Sequence, residues 1–190
     1  YERLHDATPR VEDGEVRLDD GDRRRRRSAG AYYTPEHVVE YAVAEAVNGP
    51  DATVLDPAMG SGHFLVRALD RLAAERVRTT DETLADARRH AVRQVFGVDI
   101  DPLAVELART AVWLRAGVWS DDRLQAADAL GDGPEWFDSE FDAVVGNPPY
   151  VRSRHIDDER KADLRERFDV AHGALRTAVA RPTAGPPPPR

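Results

Sequence analysis

Phe141-Asp142-Ala143-Val144-Val145-Gly146-Asn147-Pro148-Pro149-Tyr150 is the stretch that sets the topology of this chain. Phe141 to Val145 is short, apolar and β-branched, which marks a buried strand. Two consecutive prolines then remove two backbone donors, so the strand must stop and the chain must leave the sheet. A rigid turn remains at the strand's carboxyl end, carrying the Asn147 side-chain oxygen, outward carbonyls and the Tyr150 ring. In an open α/β sheet, that end is where ligands bind.

Working upstream, other strands end in the same manner. Thr53 to Asp56 is a short strand, followed by the small residues of Pro57-Ala58-Met59-Gly60-Ser61-Gly62. A helix begins near Ser61 and carries Phe64, Leu65, Ala68, Leu69, Leu72 and Ala73 on its buried side, with free N–H groups at its amino end. The spacing is neither the dinucleotide G-x-G-x-x-G nor a phosphate loop. Asp56, at the strand end just before the glycines, can pair with a ligand's ammonium group. His63 is read as a packing residue at the helix start. Gln94 to Asp99 is a second strand ending in an acid, and in nucleotide-type folds such a carboxylate binds ribose hydroxyls. Asp101-Pro102 caps the next helix, whose apolar face is read as Leu103, Leu107, Ala111 and Leu114. A third strand, about Arg123 to Ala127, ends at Asp128. Successive strands thus end in Asp56, Asp99, Asp128 and Asn147, a recurrence that packing does not explain.

Upstream of these, Thr34 suits an N-cap, Pro35 the first helical position and Glu36 the positive end of a helix. Val39, Val43, Ala46 and Val47 form its apolar face, and Asn48-Gly49-Pro50 stops it. Residues 1–30 read as a polar lead-in without sustained period. Residues 76–93 read as a charged surface helix, residues 156–176 as a charged helical extension and residues 177–190 as a proline-rich disordered tail. The catalytic domain is expected over residues 31–155.

Composition narrows the class. With 190 residues, 41% apolar and 33% charged, the chain fits one soluble domain with a fair core. No apolar run is long enough to span a membrane, and a cytoplasmic location is expected. Without cysteine, these residues form no disulfide, thiolate metal site or cysteine nucleophile. The net charge of −8 counts against nucleic acid as a partner, because phosphate contacts need local positive charge. Arg23 to Arg27 is a basic run that serves equally as a solvated segment. Lys161 is the only lysine among 27 basic residues, and aspartates outnumber glutamates 22 to 13, a composition that suits a salt-adapted host.

The Asn147 turn suits one kind of chemistry. The lone pair of an aromatic amine such as adenine's is delocalised into the ring and is poorly nucleophilic. Two acceptors, the Asn147 amide oxygen and the Pro148 carbonyl, can hold both N–H bonds and draw the nitrogen towards tetrahedral geometry. Tyr150 can stack on the base, which must be flipped out of its duplex. The plainer reading is a strand followed by an ordinary proline turn.

Tyr33-Thr34-Pro35, Asp56 to Phe64, Gly97-Val98-Asp99-Ile100-Asp101-Pro102, Asp128-Ala129-Leu130 and Asn147-Pro148-Pro149-Tyr150 occur in this order. Over residues 28–155 the chain resembles the adenine-specific N6 DNA methyltransferases of restriction–modification and phage-defence systems. The resemblance implies a Rossmann-like, doubly wound α/β sheet, S-adenosylmethionine as cofactor and double-stranded DNA as partner, with no metal. Thr34 and the Asp56 to Gly62 loop, with Ala58, Gly60 and Gly62, would hold the cofactor's methionine end, with Tyr33 in the same cofactor-binding set. Asp99 would hold the ribose hydroxyls, Ile100 would pack on the cofactor's adenine, and Asp128, with Leu130 close by, would accept from its amine. Asn147 and Pro148 would bind the target amine, Pro149 would stiffen the turn and Tyr150 would stack on the flipped base.

Members of that family continue with further strands and a target-recognition region. The expectation is therefore a sheet incomplete on its C-terminal side, in a fragment of a longer methylase. Two other readings stay open: a non-catalytic remnant, and methylation of a protein glutamine amide or an RNA guanine amine.

Overall fold

A computed structural model describes residues 8–12, 15–19, 34–120, 122–131, 133–149 and 156–167. The chain divides into two compact units. Residues 34–147 form one of them.

That unit is a parallel sheet of β3 (Val54–Asp56), β4 (Val95–Asp99), β5 (Leu124–Ala126) and β6 (Ala143–Val144), in the order β5-β4-β3-β6. Registers pair Leu55 with both Phe96 and Val144, and Val98 with Gln125. The strands are short because each ends in polar or glycine-rich sequence. Between them run α1 (Glu36–Ala46), α2 (His63–Thr79), α3 (Leu84–Ala91) and α4 (Pro102–Ala116). Chain order runs β3, β4, β5 outward in one direction, and β6 then joins the free side of β3. The order therefore reverses between β3 and β6, which is the topological switch point of a doubly wound α/β sheet.

The period of two along each strand settles which face is covered. Val54, Val95, Leu124, Ala143 and Val145 join one core with Val39, Val43 and Val47, the six apolar residues of α2, Ala87 and Ala91 of α3, and Val105, Ala108, Val112 and Ala116 of α4. Leu65, Leu69 and Leu72 are wholly buried, each contributing roughly 2 kcal/mol relative to exposure. The alternate residues Leu55, Phe96 and Val144 face the other side. There Phe96 meets Trp136 at 5.1 Å and Phe141 at 5.2 Å, with the Arg123 guanidinium 5.5 Å from the Phe96 ring centre. A 3-10 turn, Glu135–Asp138, delivers Trp136 to this cluster.

Local signals account for most helix ends. Asp101 caps α4 by accepting from Leu103 N at 2.9 Å, with Pro102 at the first position, as its sequence predicts. Thr83 caps α3 by accepting from Asp86 N. The charged segment 76–93 is consequently not one helix: α2 runs on to Thr79, and α3 starts afresh after the break. At α1 the cap differs from expectation. Pro35 occupies the N-cap position without a side-chain bond, and Glu36 is the first helical residue. A larger correction concerns α4. Its buried residues are Ala104, Val105, Ala108, Val112 and Ala116, while Leu103 is 66% and Leu114 71% exposed. Ala108 lies against Gly62, where a Cβ would stand 3.0 Å from its own. Small residues face the core because the helix must come that close.

The other unit contains an antiparallel hairpin, β1 (Thr8–Glu12) and β2 (Glu15–Asp19), and the helix α5 (Asp158–Arg167). The hairpin lies inside the segment read as a lead-in without period. Asp13-Gly14, a strong hairpin pair, stands between its strands in the sequence. The α5 helix carries i,i+3 pairs of Lys161 with Asp158 and Arg160 with Asp163, and residues 168–176 of the expected extension lie outside the described residues. The tail 177–190 lies outside the described residues. No helix among the described residues is long and apolar enough to cross a membrane.

Candidate active site

The site lies along the carboxyl ends of the four parallel strands. Asp56 ends β3, Asp99 ends β4, Asp128 follows β5 and Asn147 follows β6. Hydrogen bonds tie the first two ends to the glycine loop. Met59 N donates to the Val98 carbonyl at 2.9 Å, and Gly60 N donates to Asp99 Oδ2 at 2.8 Å. Asp99 Oδ1 accepts from Asp101 N at 2.9 Å, so one carboxylate holds both the loop and the turn into α4. Ala127 N donates to the Asp99 carbonyl, and Asp128 Oδ1 accepts from Leu130 N at 2.9 Å. Gly97 makes the packing possible: a Cβ there would stand 2.5 Å from Met59 Sδ and 2.7 Å from a Leu65 methyl.

Asp56 is the most strongly perturbed group. It is 1% exposed, and Ala58 N donates to its Oδ1 at 3.0 Å. Its Oδ2 is buried and has no hydrogen-bond partner among the described residues. Burial, opposed by the Ala58 bond and reinforced by the charge of Asp99, pushes its pKa up to about 7. The strand β6 closes on this carboxyl. A Cβ at Gly146 would lie 2.5 Å from Asp56 Oδ1, so only glycine fits where the two strand ends meet. Asn147 is the next residue, and its Nδ2 donates to Thr34 Oγ1 at 3.1 Å. Thr34, Asn147, Gly146, Asp56, the glycine loop and Asp99 therefore form one connected run across the switch point.

The structure does not bring every expected residue into view. Tyr33 and Tyr150 lie outside the described residues. Pro148 is half-buried and Pro149 exposed. Ile100, beside Asp99, is 75% exposed, an apolar side chain left uncovered at the strand end. His63 is half-buried at the start of α2, where burial pushes its pKa down. Among the described residues, no group of three His, Asp or Glu side chains could hold a metal ion.

Two contributors and one pairing were not anticipated from the sequence. Gly146 admits Asp56, and the signal was a glycine directly before Asn-Pro-Pro. Thr34 bonds Asn147 rather than capping α1, a pairing across 113 residues with no local signature. At the opposite end of the sheet, Asp142 Oδ2 accepts from Thr53 N and Oγ1, both at 2.8 Å, and these bonds hold its carboxyl below the usual range. That clamp fixes β6 against β3.

Residues 15–179 match the family described as N-6 DNA Methylase. The chain belongs to this family. It is 31% identical to the type I restriction enzyme MjaIX methylase subunit of Methanocaldococcus jannaschii, over 64% of this chain and 19% of that protein. Identity to the type II methyltransferase M.XamI of Xanthomonas campestris pv. amaranthicola is 29%, over 80% of this chain and 25% of that protein. Identity to the adenine-specific methyltransferase PglX of Streptomyces coelicolor is 27%, over 81% of this chain and 17% of that protein. Among solved structures, the type IIL restriction-modification enzyme MmeI in complex with DNA aligns with a TM-score of 0.51 at 21% identity, over 76% of this chain and 26% of that one. That likeness shows the shared fold. The chain spans between 17% and 25% of the length of these curated relatives.

Proposed function

We propose that residues 34–149 are the cofactor- and amine-binding part of an S-adenosylmethionine-dependent DNA methyltransferase, acting on N6 of a flipped-out adenine in duplex DNA within a restriction–modification or phage-defence system. The observation that carries this reading is the juxtaposition of Asp56 and Gly146-Asn147 at the switch point, with Asp99 bound to the same glycine loop.

The residues present fit the cofactor. Asp56 offers a buried oxygen without a partner among the described residues, beside a loop of small residues, and an ammonium group placed there would satisfy it. Each oxygen of Asp99 uses one acceptor position on a backbone N–H, which leaves capacity for ribose hydroxyls. Ile100 offers an exposed apolar surface for a flat ring at the end of β4, and Asp128 follows the neighbouring strand β5. When bound, S-adenosylmethionine supplies a methyl group that is already electrophilic on its sulfonium. The chain's own task is positioning. The Asn147 oxygen and the Pro148 carbonyl accept the two N–H bonds of the target amine, and oriented dipoles replace a strong base.

Labelled S-adenosylmethionine incubated with the chain and duplex DNA tests the reading. Label in N6-methyladenine is the expected outcome; label in protein or RNA, or none, overturns it. Asn147→Ala is expected to abolish transfer while leaving cofactor affinity within about threefold, because its amide oxygen serves the target amine and its one side-chain bond towards the cofactor side is to Thr34. Asp99→Ala should weaken cofactor binding instead. The opposite pattern in the two variants would reverse these roles.

A further inference from the structure

The bond between Asn147 and Thr34 has a consequence for the chemistry just described, on which the following inference rests. A carboxamide has an acceptor end and a donor end of nearly equal shape. Only the oxygen can accept from an amine, so a site built on Asn147 needs a device that keeps the NH2 group turned away. Nothing in the Asn147-Pro148-Pro149 turn itself distinguishes the two ends.

We propose that Thr34 is the positioning residue that sets this orientation. Its Oγ1 takes the Asn147 Nδ2 proton at 3.1 Å, which occupies the donor end and leaves Oδ1 as the group available for an incoming N–H. Both partners sit on fixed supports. Thr34 precedes Pro35, which restricts its backbone to extended conformations, and its branched side chain is stiff about χ1. The helix that follows is anchored by Val39, Val43 and Val47, all buried in the core. Asn147 is held from the other side, since Val145 N donates to the Leu55 carbonyl at 2.9 Å and Gly146 abuts Asp56. A hydroxyl accepts and donates at once, so Thr34 keeps its own proton to give to a ligand acceptor. A ligand that takes that proton holds Thr34 as an acceptor towards Asn147. Loading the cofactor side therefore sets the polarity of the amine side.

The test compares Thr34→Val, which keeps the shape and removes the hydroxyl, with Thr34→Ser, which keeps the hydroxyl. Steady-state methyl transfer should show kcat lowered about tenfold in Thr34→Val at saturating cofactor, the size of one hydrogen bond, and restored within about threefold in Thr34→Ser. A loss confined to cofactor affinity, or an unchanged kcat, overturns the proposal. A second measurement is independent of turnover. In 15N-labelled protein, the Asn147 side-chain NH2 signal is identified by its absence in Asn147→Ala. It should move in Thr34→Val and return in Thr34→Ser; a signal indifferent to Thr34→Val also overturns the proposal. If the unsubstituted chain transfers no methyl group to DNA, the proposed function falls while the NH2 signal still decides whether Thr34 orients Asn147.

Discussion

Asp56 shows how much one side chain can owe to its surroundings. As a free residue it would be an ordinary carboxylate, but burial at the end of β3 raises its pKa to about 7. The sign of the consequence follows from linkage. A folded-state pKa above the unfolded value of 3.8 means that the folded protein holds the proton more tightly. The stabilisation is fully present below pH 3.8 and is lost as pH rises through about 7. A shift of this size corresponds to on the order of 4 kcal/mol. Asp56→Asn removes the titration, so urea unfolding should find the variant more stable relative to the parent at pH 8 than at pH 4, by up to that amount. An equal difference at both pH values would mean that Asp56 is solvated. The position of Asp56 was legible in the sequence as an acid at a strand end before glycines. Its isolation was not, because Gly146, which closes over it, lies 90 residues further along the chain.

Among the elements, α4 gives the clearest lesson. Its leucines at Leu103, Leu107 and Leu114 follow a helical period and suggest a buried face. The structure buries the alanine and valine face instead, because Ala108 must approach Gly62 closely enough to leave no room for more. Hydrophobicity ranked the faces wrongly because clearance, not apolar area, decided the packing. Leu114→Gln should therefore change stability by less than about 0.5 kcal/mol, whereas Ala108→Leu should cost roughly 1 to 3 kcal/mol. Chemical denaturation of both variants checks the ranking, and the reverse order would restore the leucine face. The strand β6 shows the opposite case. Its sequence marked a strand stopped by prolines, and the strand is there, although only Ala143 and Val144 are fully paired. It ends the strand order beside β3, with Val144 38% exposed, and the Thr53–Asp142 bonds hold it in place.

For the whole molecule, charge works against compactness. A net charge of −8 repels itself, while surface pairs such as Arg76 with Asp51 and Glu82 return little each. Added salt screens both, and the repulsion is the larger effect. The melting temperature should rise by several degrees between low ionic strength and about 1 M KCl. Calorimetry at the two salt concentrations tests this, and an unchanged value would remove both the charge argument and the salt-adapted reading of the aspartate excess. What the sequence determined by itself was local. Each strand's apolar run, each polar residue at its carboxyl end, the Asp101-Pro102 cap and the order of motifs are properties of neighbouring residues, and they suffice for an α/β sheet of this family. The tertiary structure alone decided what meets across distance: Asp56 under Gly146, Asn147 on Thr34, Asp142 on Thr53, and the narrow face of α4 against Gly62. Those pairings depend on how closely backbones approach, and no period or composition carries that information.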